Sequence, residues 1–180
     1  LDRNRSSEFL DSFEAMARRA ALTGALNSLV QVSLKLTMPG VPDFYQGTEL
    51  WDLSLVDPDN RRPVDFAARS TMLKEIGEEP DWATLAKGWS SGRIKFALTA
   101  RLLAIRNRFA GVFTNGSYRP LPVTGPHADE SVAFARSHGR DNIIVVASRQ
   151  FGRSTESGKN WPSQDTLPQA SLNLGGVFAV

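Results

Sequence analysis

The sequence predicts an α/β portion followed by an all-β portion, and three observations carry this. Apolar residues recur at helical spacing as far as about residue 108. Beyond Gly111 the apolar runs are short and separated by Gly, Asp and His turns, as strands are. Between the helical stretches lies one short apolar segment, 41–45, which empties into a loop crowded with Tyr, Glu, Trp, Asp, Asn and Arg. At 180 residues and 41% apolar content, the chain holds one large or two small domains with a real core.

The elements follow in order. Ser6 or Ser7 caps a first helix with an apolar stripe at Phe9, Leu10, Phe13, Met16 and Ala20. A second helix is expected over 21–36, where Leu22, Ala25, Leu26, Leu29, Val30, Leu34 and Leu36 make more than one side apolar and demand a large partner surface. Pro39-Gly40 stops it, and 41–45 reads as a short buried strand. The segment 46–63 lacks periodicity and is rich in Asp, Asn and Pro; a loop of that length is usually functional when ordered. Short helices follow at 67–76 and 81–86, with Trp82 and Trp89 expected in the core. An amphipathic helix spans 92–108, its Arg101, Arg106 and Arg108 solvating the outer face. Strands are expected at 118–121, 131–136 and 142–148, the last two as an antiparallel hairpin around His138-Gly139-Arg140-Asp141. Residues 150–169 read as an exposed excursion, and 170–174 and 177–180 as returning strands. The boundary falls near Gly111, giving domains 1–110 and 111–180.

Composition excludes several classes. Twenty-one basic and nineteen acidic residues leave a charge of +2, and no Lys/Arg run supports nucleic-acid binding. The absence of cysteine excludes disulfides, thiolate metal sites and a cysteine nucleophile, and fits a reducing, cytoplasmic compartment. No apolar run approaches the roughly 20 residues of a membrane span. His127 and His138 stand in turns without ligand spacing and read as surface residues, so neither a metal nor a cofactor is expected. Asp141 and Ser148 make no triad with either histidine. Leu1 opens the chain without Met, as in a piece of a longer polypeptide.

The loop supplies what a carbohydrate site needs: flat rings for sugar faces and forked donors and acceptors for hydroxyls. A strand emptying into such a loop has the form of a strand C-terminus in a (β/α)8 barrel, where enzymes of that fold place their sites. A full barrel takes about 250 residues, so the chain is expected to supply the last barrel unit and a small antiparallel β-sandwich domain after it. Gly40-Val-Pro-Asp-Phe-Tyr-Gln-Gly-Thr-Glu49 resembles the last-strand motif of the α-amylase family of retaining glycoside hydrolases. The longer string 39–65, with Leu26-Asn-Ser-Leu-Val-Gln, Gly92-Arg-Ile-Lys and Ala133-Phe-Ala-Arg, resembles the branch of that family that isomerises malto-oligosaccharides.

The resemblance implies the C-terminal part of an intramolecular glucosyl transferase, which turns the reducing-end α-1,4 linkage into an α,α-1,1 linkage on the way to trehalose. Its chemistry is retaining, with carboxylates about 5–5.5 Å apart and water kept out. The motifs that carry those carboxylates do not occur in 1–180, so no catalytic residue is assigned. The expected partners are the malto-oligosaccharide and the upstream barrel of the same chain. Asp57 and Arg61 are expected either to hold sugar hydroxyls or only to pin the loop, with Asn60 and Arg62 beside them. Tyr45 contacts the substrate or anchors the strand; Trp51 stacks on a sugar or plugs the barrel top. Glu49, with Gly47 in the same motif, is expected to fix the loop by hydrogen bonds to backbone. The alternatives are a hydrolase or 4-α-glucanotransferase of the same family, or a non-catalytic carbohydrate-binding module.

Overall fold

A computed structural model describes residues 2–167 and 169–175. The strand expected at 177–180 lies outside the described residues. The order is α1 (Ser7–Thr37), α2 (Phe66–Ile76), α3 (Trp82–Lys87), α4 (Arg93–Arg108), α5 (Ala110–Asn115), then β1 (Ser117–Pro120), β2 (Val123–Thr124), β3 (Ser131–His138), β4 (Asp141–Ser148) and β5 (Ser171–Leu172).

The two helices expected before residue 37 are one. No Gly or Pro pair interrupts the run from Ser7 to Thr37, and Gly24 alone is too small a penalty to break it. Ser6 holds the N-cap position without a side-chain cap bond. The first turns stand clear of the body: Phe9, Phe13 and Met16 are more than half exposed, and the two phenyl rings stack with centroids 5.9 Å apart. Only from Leu22 onward does the helix bury a face, through Leu22, Ala25, Leu26, Val32 and Leu36. α4 lies against this face and buries Ile94, Phe96, Ala97 and Thr99. Asp81 and Asp65 cap α3 and α2 by accepting from the N–H groups of Thr84 and Ala68.

Residues 41–45 correct the expectation of a buried strand. They pair with no other strand, and Val41 is 94% exposed. A strand exists only by bonding to a neighbour, and these residues find none within the described chain. Trp82 is also exposed, so its expected core position does not hold; Trp89 is half-buried.

After Gly111 the strands form as expected. β3 and β4 make an antiparallel hairpin from Ser131 opposite Ser148 to His138 opposite Asp141, and β1 adds to the other edge of β3. β2 and β5 form a separate two-stranded ladder. Val123 and Leu172 of that ladder pack with Leu121, Ala133, Ala135 and Ile144. The described residues thus supply helices and two small antiparallel ladders sharing a core; they do not by themselves close a barrel or build a full sandwich.

The expected excursion at 150–169 is only partly exposed. Phe151 inserts beside Leu22 and Leu26 of α1, with Trp89 and Trp161 around it. Thr155 is fully buried, and its hydroxyl bonds the Phe151 carbonyl at 2.6 Å and the Gly158 N–H at 2.8 Å. Its Ser- and Gly-rich composition reads as solvent-facing because one aromatic anchor, not an apolar pattern, docks it.

Candidate functional site

The segment 41–45 and the loop 46–65 that follows are held at their base by three long side chains reaching in from helices. Arg69 of α2 donates to Glu49 at 3.1 Å, to the Gly47 carbonyl at 3.3 Å and to the Asp65 carbonyl at 3.2 Å. Gly47 has φ 93, a left-handed conformation that glycine adopts without strain. Glu49 therefore bonds to the Arg69 guanidinium here, and the backbone contact in this corner is the arginine's. Lys95 of α4 donates to the Leu50 carbonyl at 3.1 Å and lies 5.6 Å from the Trp51 ring centroid. Lys35 of α1 donates to the Asp43 carbonyl at 2.7 Å and sits over the Phe44 ring at 4.1 Å. Burial first, and the neighbouring Lys35 charge second, push the Lys95 pKa down.

Trp51 is fixed from the other side. Its indole N–H donates to the Trp89 carbonyl at 2.7 Å, and its backbone lies against Gly92. Gly92 has φ 77, and a Cβ there would stand 3.0 Å from the Trp51 nitrogen. This close approach ties the start of α4 to the loop. Trp51, Trp89 and Lys95 line a cavity of about 510 Å³ floored by the small residues Ala21, Gly24 and Ala25 of α1.

The tip of the loop is organised by ion pairs at helical spacing. A single 3-10 turn, Asp59–Arg61, brings Arg61 onto Asp57 and Arg62 onto Asp59. Arg61 reaches Asp57 with both Nε, at 2.8 Å, and Nη2. Asp59 also accepts from the Leu55 N–H at 2.7 Å, the main reason its pKa is lowered, with Arg62 second. The hydrogen-bonded Asp57 carboxylate raises the Arg61 pKa. Asp52 is likewise held low, first by Ser54 and further by Arg62 and Lys95.

Of the residues singled out from the sequence, Gly47, Trp51, Asn60 and Arg62 line one cavity of about 190 Å³ with Asp52 and Arg69. The Asn60 side-chain oxygen there is buried and has no hydrogen-bond partner among the described residues. Asp57 and Arg61 stand outside its lining, and Tyr45 belongs to another cavity, of about 330 Å³, with Lys35, Lys95 and Thr48. Lys35, Asp52, Asp59, Arg69 and Lys95 were not legible as site residues. Lys95 had one signal, as the last residue of Gly92-Arg-Ile-Lys; Arg69 sits on a helix face like any solvated arginine. His127 and His138 lie on the surface, His127 at 3.2 Å from Glu130 and His138 against Gly111. Among the described residues no cluster of His, Asp and Glu is placed to hold a metal ion.

No family model matches the chain. A putative maltooligosyl trehalose synthase of Mycobacterium tuberculosis is 41% identical over 132 residues, 73% of this chain and 15% of that protein. A crystal structure of maltooligosyl trehalose synthase matches 79% of the chain at 33% identity and a TM-score of 0.68, using 18% of that structure. The maltooligosyltrehalose synthase of Arthrobacter ramosus matches 78% at 36% identity and a TM-score of 0.59, using 17% of that structure. The chain spans only about one-sixth of the length of these relatives. Over most of its length it is homologous to maltooligosyl trehalose synthases.

Proposed function

We propose that this chain forms part of an enzyme that converts the reducing-end α-1,4 linkage of malto-oligosaccharides into an α,α-1,1 linkage, giving maltooligosyltrehalose. In this reading residues 1–110 complete a (β/α)8 barrel through the segment 41–45, and 111–180 form a β-domain on its flank. The protein works in the cytoplasm. The observation that supports it best is the loop 46–65 itself, whose sequence carries the resemblance and whose tip presents Asp57, Asn60, Arg61 and Arg62 on a single turn.

The chemistry assigned to this chain is grip. Asp57 offers ionised oxygens and Arg61 a planar fork of donors, a combination that bonds vicinal sugar hydroxyls directionally. Both are paired with each other on an exposed turn, so a sugar exchanges one set of charge-assisted bonds for another without stripping a buried charge. Asn60 and Arg62 add contacts beside them. Tyr45 supplies an aromatic edge near Arg61, and Trp51 a ring wall. Glu49 and Gly47, through Arg69, hold the loop base rigid. The carboxylates that break and remake the glycosidic bond are placed elsewhere in the polypeptide.

The test is made on the full-length protein with maltopentaose. Loss of reducing ends without new ones marks isomerisation; new reducing ends mark hydrolysis and would replace this reading with the hydrolase. Arg61→Ala should weaken maltopentaose binding roughly tenfold or more, the scale of a lost charged hydrogen bond. Unchanged affinity would remove Arg61 from the site and leave it as a loop pin.

A further inference from the structure

The run Ala133-Phe-Ala-Arg136 shares in the resemblance yet has no part in the grip just described. Its last residue is also among the largest fully buried side chains: Arg136 in β3 is 2% exposed. A buried charge needs compensation, and among the described residues its hydrogen bonds all go to backbone carbonyls. Nε donates to Ser117 at 2.9 Å and Nη1 to Thr37 at 3.2 Å. Nη2 faces Val112 at 3.0 Å, Gly116 at 3.2 Å and Phe113 at 3.4 Å. Thr37 ends α1, and Val112 and Phe113 lie in the last turns of α5. These are the electronegative ends of both helices.

A second arginine reaches the same place from α4. Arg106 of α4, expected from the sequence to solvate a helix face, instead donates to the Leu36 carbonyl at 2.9 Å and to the Gly40 carbonyl at 2.7 Å. Both guanidiniums lie near the Phe113 ring, that of Arg106 at 4.9 Å from its centroid and that of Arg136 at 5.9 Å. Together they hold the carbonyls of residues 36, 37 and 40. Gly40 has φ 122, a conformation only glycine adopts readily, so the chain leaves α1 through a turn whose carbonyls are held by both arginines.

We infer that Arg136 and Arg106 form a clasp on the end of α1 that sets the direction of segment 41–45, and that Arg136 is thereby a positioning residue for the loop carrying Asp57 and Arg61. The role in sugar binding rests on the function proposed above; the mechanical coupling does not. An apolar side chain could fill the Arg136 position more cheaply. Only a guanidinium can join the end of α1, the end of α5 and the start of β1 at one point, because lysine's single ammonium lacks the planar fork.

The experiment compares Arg136→Lys and Arg106→Lys with the wild type in the full-length protein, by amide hydrogen exchange and by maltopentaose titration. The clasp predicts exchange across residues 38–50 faster by about tenfold or more in each variant, while the β3–β4 hairpin stays within about twofold of wild type, a local rather than global opening. It also predicts weaker maltopentaose binding in both. Unchanged exchange at 38–50, or a hairpin that opens as much as the segment, overturns the clasp. If Arg136→Lys does not fold, Arg106→Lys carries the same comparison from α4. A wild-type protein that binds no maltopentaose ends the sugar reading, and exchange alone then decides the clasp.

Discussion

Two parts of this molecule use arginine in opposite ways. At the loop tip, Arg61 and Arg62 bond carboxylates four and three residues away, with most of each arginine side chain exposed. In the sheet, Arg136 bonds carbonyls 19 to 99 residues away and is out of water altogether. Local exposed pairs contribute little and break easily, whereas a buried cation with several partners is costly to disturb. The contrast separates a surface prepared to exchange partners from a joint prepared to keep them. A sugar site needs both, an adaptable rim and a fixed support.

Substitutions sharpen the contrast. The largest effect belongs to the joint: Leu36→Ala, at a fully buried position beside the clasp, should cost roughly 2–5 kcal/mol in denaturant unfolding of the full-length protein. Next comes Gly158→Ala. Gly158 has φ 83 and a Cβ there would collide with the Arg19 carbonyl of α1, so the docked excursion should loosen at a cost of about 1–3 kcal/mol. Limited proteolysis near residues 150–165 would report it. A change smaller than about 0.5 kcal/mol would mean that the excursion is not held on α1.

A smaller effect concerns acid. Glu130 is nearly buried and accepts from Arg153 at 3.0 and 2.6 Å, which holds its pKa below the ordinary value of 4.5, with His127 adding in the same sense. A carboxylate with a lowered folded pKa binds its proton more weakly when folded than when unfolded. Its stabilisation is therefore complete above the ordinary value and is lost as pH falls through the folded one. Glu130→Gln should be less stable than wild type at neutral pH, and the gap should narrow as pH falls below the ordinary value of 4.5 and close below the folded pKa. A gap that is the same at every pH would remove Glu130 as its source. The smallest effect is at the rim, where Asp57→Asn should shift the melting temperature by less than about 2 °C, as for exposed pairs generally. A larger shift would move Asp57 from the adaptable class to the fixed one.

Legibility in the sequence followed the same division. Helical spacing placed α2, α3 and α4 within a residue or two because it records which face a helix buries, and short apolar runs bounded by turn residues placed the β3–β4 hairpin. Residues 41–45 read as a buried strand from their apolar content alone, but pairing depends on a neighbour that composition cannot supply. Phe151 was missed for the converse reason: a lone aromatic in a polar stretch leaves no periodicity. Within the site, the carboxylates and guanidiniums of residues 57–62 announced themselves by crowding. Lys95, Arg69 and Arg106 did not, since an arginine or lysine on a helix reads the same whether its head group meets water or a carbonyl far along the chain. Arg136 was visible only as the end of a matching run.

The unbroken length of α1 adds a geometric consequence. Thirty-one residues make a rod of about 46 Å at 1.5 Å per residue, gripped near Leu22 and Leu26 by Phe151 and at Thr37 by Arg136. Leu26 and Thr37 stand eleven residues apart, about three turns at 3.6 residues per turn, which keeps those two grips in phase. One extra residue between them would twist the far end by about 100°, like a crankshaft slipped by a tooth, and swing Thr37 away from its arginine.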